Sequence, residues 1–189
     1  MSTFEARSKP HDLACSYLES LFKHRGYTYA KYGVEHKDVK EIHNKLMDCT
    51  LKNNDQTSKF VRHLPDYICI INDKVYFFDM KTQVRIDTPN YSIECDALEI
   101  LQYLMQYKCL VVLIFSSDNI HPKNKLEEML QQKPPNFKAC LLNEIGQENF
   151  KKNINPERSK GSNTPFFLIL KSTKGIVDFN ILMDRLEVH

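Results

Sequence analysis

Asp66, Asp79 and Lys81 are the residues whose types and spacing point most directly to chemistry. Two carboxylates held close together repel each other, and the repulsion grows as they lose water. A divalent cation removes that repulsion, because hard cations bind several oxygen ligands at short distance. Such an ion can polarise a phosphodiester and activate a bound water, while a lysine orients or helps deprotonate that water and offsets transition-state charge. The three residues predict a site for metal-dependent phosphodiester hydrolysis.

A predicted hairpin brings the three side chains together. Residues 67–71 and 75–80 are short apolar runs with β preference, and Asn72-Asp73 between them suits a two-residue turn. With that turn, opposed residues have numbers that add to 145, as Asp66 and Asp79 do. Their Cβ atoms should therefore lie about 5 Å apart on one face. Lys81 and then Gln83 follow Asp79 at two-residue steps and should share that face. Both faces of the runs are largely apolar, which predicts central strands covered on both sides.

The flanking sequence predicts the elements that would support this hairpin. A first helix should begin at Ser8 as its N-cap, with Pro10 in its first turn, and end at Gly26. Predicted helices span 8–25, 38–51, 96–107 and 123–132, and predicted strands span 27–32, 67–71, 75–80, 109–115 and 166–170. The basic stretch 151–165 is predicted to be a loop, and the pattern of 176–182 leaves its type open. This order predicts one domain with a three-layer α/β fold, a central mixed β-sheet flanked by helices.

Composition and charge indicate which broad class of protein the chain belongs to. The chain has 189 residues, 42% hydrophobic and 26% charged, as soluble globular domains do. No apolar run approaches the roughly 20 residues that span a bilayer, and the N-terminus lacks the apolar core of a signal peptide, so we expect an intracellular protein with no membrane partner. The net charge of +2 neither requires nor excludes nucleic acid. The six cysteines form no C-x-x-C pair, which favours buried, reduced thiols.

The hairpin motif resembles the signature of a known nuclease group. Pro65-Asp66, a spacer spanning the hairpin, then Asp79-Met80-Lys81 is similar to the PD-(D/E)xK nuclease superfamily, which includes restriction endonucleases, archaeal Holliday-junction resolvases and viral cap-snatching endonucleases. The predicted elements follow the order helix, strand, hairpin, helix, strand, which agrees with the core of that superfamily as far as residue 115. The resemblance implies a restriction-endonuclease-like fold with a catalytic core at 1–115 and a C-terminal extension of the same domain at 116–189. It also implies Mg²⁺ or Mn²⁺ as cofactor. It does not indicate to which branch of the superfamily the chain is similar.

The resemblance adds candidate residues outside the motif. Many members contribute an acid from the first helix, which makes Glu19 a catalytic and metal-binding candidate; a solvated surface glutamate is the alternative. The cap-snatching branch adds a helical histidine, which implies His11 as a metal ligand, and Met80 joins Asp66 and Asp79 in the implied metal set. Candidates for nucleic-acid binding are Arg62, His63, Gln83, Lys151 and Lys152. Solvated surface charge is the alternative for these.

Three functions follow from this resemblance. The first is a structure- or sequence-directed DNA endonuclease, acting as a homodimer that places two sites on two strands. The second is an RNA endonuclease of the cap-snatching or RNA-processing kind, with His11 in the metal site. The third is a catalytically inactive nuclease fold that binds nucleic acid. A purely structural alternative remains beside them, in which Lys81 neutralises an acidic strand end as an ordinary salt bridge.

Overall fold

The computed structural model describes residues 5–32, 60, 63–82, 88–116, 137–153 and 165–188. The helices predicted at 38–51 and 123–132 lie outside the described residues, as do Arg62 and Gln83. The division of the domain at residue 115 stays a prediction. Among the described helices, none combines the length and the apolar character needed to cross a bilayer.

The described chain forms three α-helices and two β-sheets. The elements in order are α1 (Glu5–His24), β1 (Thr28–Lys31), β2 (Tyr67–Ile71), β3 (Lys74–Lys81), β4 (Asn90–Glu94), α2 (Cys95–Gln106), β5 (Leu110–Phe115), β6 (Lys138–Leu141), β7 (Lys151–Asn153), β8 (Phe166–Leu170), β9 (Val177–Asp178) and α3 (Phe179–Val188). The larger sheet has the order β1-β2-β3-β5-β6-β9, and the smaller has β4-β8-β7. The pair β3–β5 is parallel and the other pairs are antiparallel. The predicted α/β fold with a central mixed sheet flanked by helices is confirmed.

The central hairpin has the register that the sequence predicts. Tyr67 pairs with Phe78, and the pairing continues in step to Ile71 and Lys74 beside the turn. Asn72 and Asp73 have φ values of 48° and 59°, both in the left-handed region that the tight hairpin turn requires. Asp66 lies one residue before β2, and its carboxylate reaches the end of β3, where Oδ2 accepts the Met80 amide hydrogen. Turn chemistry therefore fixes the register that brings Asp66 to the end of β3.

Replacing Asp73 with glycine tests this turn. Glycine adopts a positive φ without steric cost, whereas a Cβ at φ 59° is disfavoured. We expect Asp73→Gly to raise the free energy of unfolding by about 0.5–1 kcal/mol. Urea denaturation measures the change directly. A lower denaturation midpoint for Asp73→Gly would contradict a left-handed conformation at this position.

The first helix ends as predicted and begins earlier. Gly26 has φ 72°, the amide of Gly26 bonds to the carbonyl of Lys23, and the amide of Tyr27 bonds to that of Phe22. This is a Schellman termination, which favours glycine. The predicted start at Ser8 was wrong, because the helix begins at Glu5 and Ser8 lies inside it. The strong helix formers in the Glu-Ala-Arg segment before Ser8 account for the upstream extension.

Both faces of the larger sheet carry a hydrophobic core. One core packs α1 and α3 against alternate residues of the strands, with Leu18, Phe22, Phe78, Ile114 and Leu182 at its centre. The other packs α2 and the smaller sheet against the opposite face, with Leu98, Leu101, Val111, Leu113 and Ile169 at its centre. Strand β5, predicted at 109–115, is buried on both sides. Coverage is incomplete near the hairpin tip, where Ile70 and Val75 are exposed, so the prediction of two covered faces fails there.

Several elements differ from prediction. Strands β4 and β6 were not predicted, and Lys151–Asn153 forms strand β7 where a loop was expected. The segment left open at 176–182 divides into the short strand β9 and the start of α3. The predictions for 27–32, 96–107 and 166–170 correspond to β1, α2 and β8. The missed strands are short and acquire their partners from distant parts of the chain, so local pattern gives little sign of them.

Candidate metal centre

The buried Asp79 and the half-buried Lys81 form an ion pair at the end of β3. Residues Phe78 and Met80 point into the core beneath α1, so strand alternation directs Asp79 to the opposite face, with Lys81 beside it. The Nζ atom of Lys81 lies 2.7 Å from Oδ2 of Asp79. Although that contact balances charge, this buried oxygen accepts no hydrogen bond of regular geometry from the described residues. Such an oxygen is a suitable donor to a cation, since buried acceptors are normally satisfied.

Lys81 is held in its charged form. Burial lowers the pKa of Lys81, but the charges of Asp79 and Asp66 and the close contact with Asp79 outweigh burial, so the pKa lies above its ordinary value. Glu94, at the end of β4, adds to this rise. An ammonium group so placed can stabilise an anion, whereas accepting a proton would require it to lose that charge. Between the two predicted roles of Lys81, the geometry favours orientation and charge stabilisation over proton abstraction.

Asp66 is fixed at the bend that leads into β2. Its Oδ2 accepts the Met80 amide hydrogen at 2.6 Å, and its carbonyl accepts that of Tyr32 at 2.8 Å. Burial and then the charge of Asp79 raise the pKa of Asp66 to about 6, against the lowering effects of His11, Lys81 and the Met80 amide. Two acids therefore share this end of the hairpin at an electrostatic cost that a cation would remove.

Replacing Asp66 with asparagine removes the cost of a buried carboxylate beside Asp79, so it should raise the free energy of unfolding. A folded-state pKa of about 6 against an ordinary 3.8 means that folding favours the protonated acid, so stability falls as pH rises through roughly 4 to 6. We expect Asp66→Asn to raise the free energy of unfolding by about 1–2 kcal/mol at pH 7 and by much less at pH 4. The asparagine oxygen can still accept the Met80 amide hydrogen. Denaturant titrations at both pH values test this, and an equal gain at the two would contradict it.

A second group of potential ligands meets Asp66 from helix α1. Nε2 of His11 lies 3.8 Å from Oδ1 of Asp66 and 3.4 Å from Sγ of Cys15. The three potential ligand atoms all lie within 4.8 Å of one another. The structure thus brings His11 to Asp66, as the implied metal set requires, and adds Cys15, which sequence reasoning did not select. The signal for Cys15 was its four-residue spacing from His11, which places both on one helix face.

Glu19 has other partners among the described residues. Its Oε1 accepts a hydrogen bond from the Tyr67 hydroxyl at 2.9 Å and lies 2.8 Å from Nζ of Lys31. These contacts tie the middle of α1 to β1 and β2. The catalytic and metal-binding roles of Glu19 stay predictions, and its described contacts are those of a structural glutamate.

The remaining predicted residues lie at the margins of the site. The side chain of Met80 is buried in the core and its amide is bonded to Asp66, so a metal could reach it through the carbonyl oxygen. The amide of His63 donates to the carbonyl of Phe60 in the segment before the motif. Lys151 and Lys152 are exposed on the edge strand β7. Their nucleic-acid contacts stay predictions.

Strands β8 and β4 lie between the basic strand β7 and the acidic pair. Burial raises the pKa of Cys95, at the start of α2, and the charge of Lys152 opposes this rise, so Lys152 lies within electrostatic range of that thiol. Glu94 is the residue before Cys95, and its charge acts on Lys81. Sequence reasoning missed Glu94, because β4 itself was not predicted.

The fold and site together define a mixed α/β protein with two acids and a half-buried lysine at one end of a central hairpin. No protein-family model and no curated protein matches this sequence. Among solved structures, a Holliday junction resolvase from the hyperthermophilic archaeon Archaeoglobus fulgidus is similar, with a TM-score of 0.41 and 8% identity over 94% of this chain and 97% of that chain. At this level the likeness carries no residue roles and no function over to this chain.

Proposed function

We propose that this chain is a divalent-metal-dependent endonuclease that hydrolyses phosphodiester bonds in DNA, with Asp66, Asp79 and Lys81 as its central residues. The observation that supports the proposal is the end of the hairpin, where the charge of Asp79 acts on the Asp66 carboxyl and the half-buried Lys81 ammonium lies 2.7 Å from Asp79. Two carboxylates that lose water together repel each other and destabilise the fold. A bound divalent cation would remove that repulsion. We also propose that the chain is related to the restriction-endonuclease-like nucleases.

Each residue of the site has a separate task in this mechanism. Asp66 and Asp79 would hold Mg²⁺ or Mn²⁺, with the Met80 carbonyl as a further oxygen donor. The bound ion supplies Lewis-acid activation of the phosphodiester and of a water. Lys81 orients that water and stabilises the negative charge that develops on the phosphorus oxygens. The Met80 amide fixes the Asp66 carboxylate, so the ligand geometry is set before substrate binds.

Exposed basic residues offer a route for the nucleic-acid backbone. Lys151 and Lys152 project from the edge strand β7, and the charge of Lys152 reaches the start of α2 next to Glu94. A phosphate chain bound along β7 would therefore run toward the acidic pair. Arg62, His63 and Gln83 flank the hairpin in sequence and are proposed to contact the substrate there. We propose a homodimer, because two such sites could address the two strands of a duplex.

Cleavage of closed circular DNA tests the proposal. We expect the protein to cut supercoiled plasmid or four-way branched DNA with Mg²⁺ or Mn²⁺ and to leave both intact with a chelator. A circular substrate has no ends, so cleavage identifies an endonuclease. Absence of cleavage with either ion, on these substrates and on single-stranded RNA, would overturn the proposal in favour of an inactive nucleic-acid-binding fold.

RNA cleavage is the second candidate function, and one contact favours it. His11 lies 3.8 Å from Asp66, where a histidine could complete the metal site, as the cap-snatching resemblance implies. Under this alternative, His11→Ala should sharply lower Mn²⁺ affinity and cleavage of single-stranded RNA. Under the DNA proposal, the same variant should change Mn²⁺ affinity little. Mn²⁺ binding by titration calorimetry separates the two.

A further inference from the structure

His11, Cys15 and Asp66 have the chemistry of a site for a different class of metal. An imidazole nitrogen, a thiol sulfur and a carboxylate oxygen form a mixed donor set, whereas Asp66 and Asp79 offer oxygen alone. Magnesium and manganese prefer oxygen ligands, and thiolates select softer ions such as zinc. His11 and Cys15 are four residues apart on α1, a spacing that lets two ligands on one helix face bind one zinc ion.

The distances agree with tetrahedral zinc. Zinc binds histidine nitrogen and carboxylate oxygen at about 2.0–2.1 Å and thiolate sulfur at about 2.3 Å. Tetrahedral angles then separate nitrogen from sulfur by about 3.5 Å and nitrogen from oxygen by about 3.4 Å. The structure has 3.4 Å between His11 Nε2 and Cys15 Sγ, and 3.8 Å between His11 Nε2 and Asp66 Oδ1. Cys15 Sγ and the Asp66 carboxylate lie within 4.8 Å of each other, so side-chain movements of about 1 Å would bring all three atoms to ligand distance.

The neighbouring residues orient these atoms. Asp66 uses Oδ2 to accept the Met80 amide hydrogen, which directs Oδ1 toward His11. The Tyr67 hydroxyl donates to Glu19, and Cys15 is close enough to that hydroxyl to help raise the pKa of Tyr67, so the sulfur lies beside a fixed neighbour. His11 and Asp66 retain side-chain exposures of 18% and 14%, enough for an ion to enter from solvent. Such outer contacts orient metal ligands in known sites.

We propose that His11, Cys15 and Asp66 bind a thiophilic divalent cation, with Zn²⁺ as the chemical class, at a site distinct from the Asp66–Asp79 pair. Binding releases the Cys15 thiol proton to solvent, and the fourth position of the ion is left for water. Asp66 belongs to both sites. As a consequence that rests on the proposed nuclease function, zinc would take the carboxylate that the catalytic ion needs and would inhibit cleavage.

Cobalt substitution tests the site without reference to activity. Co²⁺ takes the same ligands as Zn²⁺, and a thiolate bound to it gives a sulfur-to-metal charge-transfer absorption that oxygen and nitrogen ligands do not give. We expect the full-length protein to show this band at one cobalt per chain and to lose it when one equivalent of Zn²⁺ is added. Absence of the band in wild type would overturn the proposal, and this arm needs no variant to fold.

Two cysteine variants then identify which thiolate binds the cobalt ion. Cys15→Ser should abolish the band and lower Zn²⁺ affinity on the order of 100-fold or more, while Mg²⁺ binding stays as in wild type. Cys109→Ser is the control, because Cys109 is a partly buried thiol at the start of β5, outside the cluster, and should retain the band. A band that persists in Cys15→Ser, or disappears in Cys109→Ser, would overturn the assignment.

The two proposals can fail separately. A cobalt band that depends on Cys15, in a protein that cleaves no nucleic acid, would support the zinc site and reject the nuclease. Cleavage with Mg²⁺ by a protein that lacks the band would do the reverse. If both hold, Zn²⁺ should inhibit wild-type cleavage at least about tenfold more strongly than it inhibits Cys15→Ser.

Discussion

Replacing Asp79 with asparagine is expected to lower the rate of metal-dependent cleavage about 1,000-fold while leaving the fold intact. Loss of a carboxylate ligand removes most of the metal's several kcal/mol of transition-state stabilisation, and about 4 kcal/mol corresponds to three orders of magnitude. Asparagine has the size of aspartate, so the packing around this buried position is retained. The accessible readout is the single-turnover rate of plasmid nicking at saturating Mg²⁺.

The control for this variant lies on the same hairpin. Asp73→Asn makes the same chemical change at the exposed turn, at the opposite end of the hairpin from the site, and asparagine tolerates the positive φ found there. We expect Asp73→Asn to cleave at the wild-type rate. If Asp79→Asn retains activity within about tenfold of wild type, Asp79 does not bind the catalytic ion.

Replacing Lys81 with methionine should reduce the single-turnover rate about 100- to 1,000-fold without loss of metal binding. Methionine keeps the length and apolar stem of lysine but removes the ammonium group, which lies 2.7 Å from Asp79. Losing that cation leaves the acids more negative, so affinity for a divalent ion should be unchanged or higher. The expected result is therefore a fall in rate that added Mg²⁺ does not restore.

Two further variants sharpen the Lys81 prediction. Lys81→Arg keeps a positive charge and should be faster than Lys81→Met, though its planar head group fits a lysine position imperfectly. Lys174→Met removes an exposed lysine near the start of β9 and should leave the rate unchanged. Weakened Mg²⁺ binding in Lys81→Met, with a normal rate at saturation, would show that Lys81 acts on the metal site and not on the reaction.

Local sequence predicted the part of the fold that local interactions determine. The Asn72-Asp73 turn fixes the hairpin register through backbone conformation, and Gly26 stops α1 in the same way. Strand β4 was missed because its partner β8 lies far away in sequence, with Asn90 opposite Leu170. Strand β7 has a lysine-rich sequence, and it becomes a strand because β8 offers a free edge.

The candidate site also has one part that local sequence determines and another that tertiary packing determines. The register that brings Asp66 to the end of β3 follows from the hairpin alone, so it could be predicted from the turn and the strand lengths. The approach of His11 and Cys15 to Asp66 depends on how α1 packs across the sheet. The partners of Glu19 depend on β1 and β2 meeting that helix, which brings Lys31 and Tyr67 to its carboxylate. Such contacts are set by tertiary packing, which helical spacing leaves undetermined.

Binding of Mn²⁺ tests the central claim most directly, since Mn²⁺ favours the oxygen ligands of the acidic pair. Titration calorimetry would compare wild type with Asp66→Asn, Asp79→Asn and the double variant. We predict that each single change weakens binding on the order of 100-fold and that the double change adds little, because both carboxylates hold one ion. Wild-type affinity in either single variant, or binding by the double variant equal to that of wild type, would contradict a shared metal site at this hairpin.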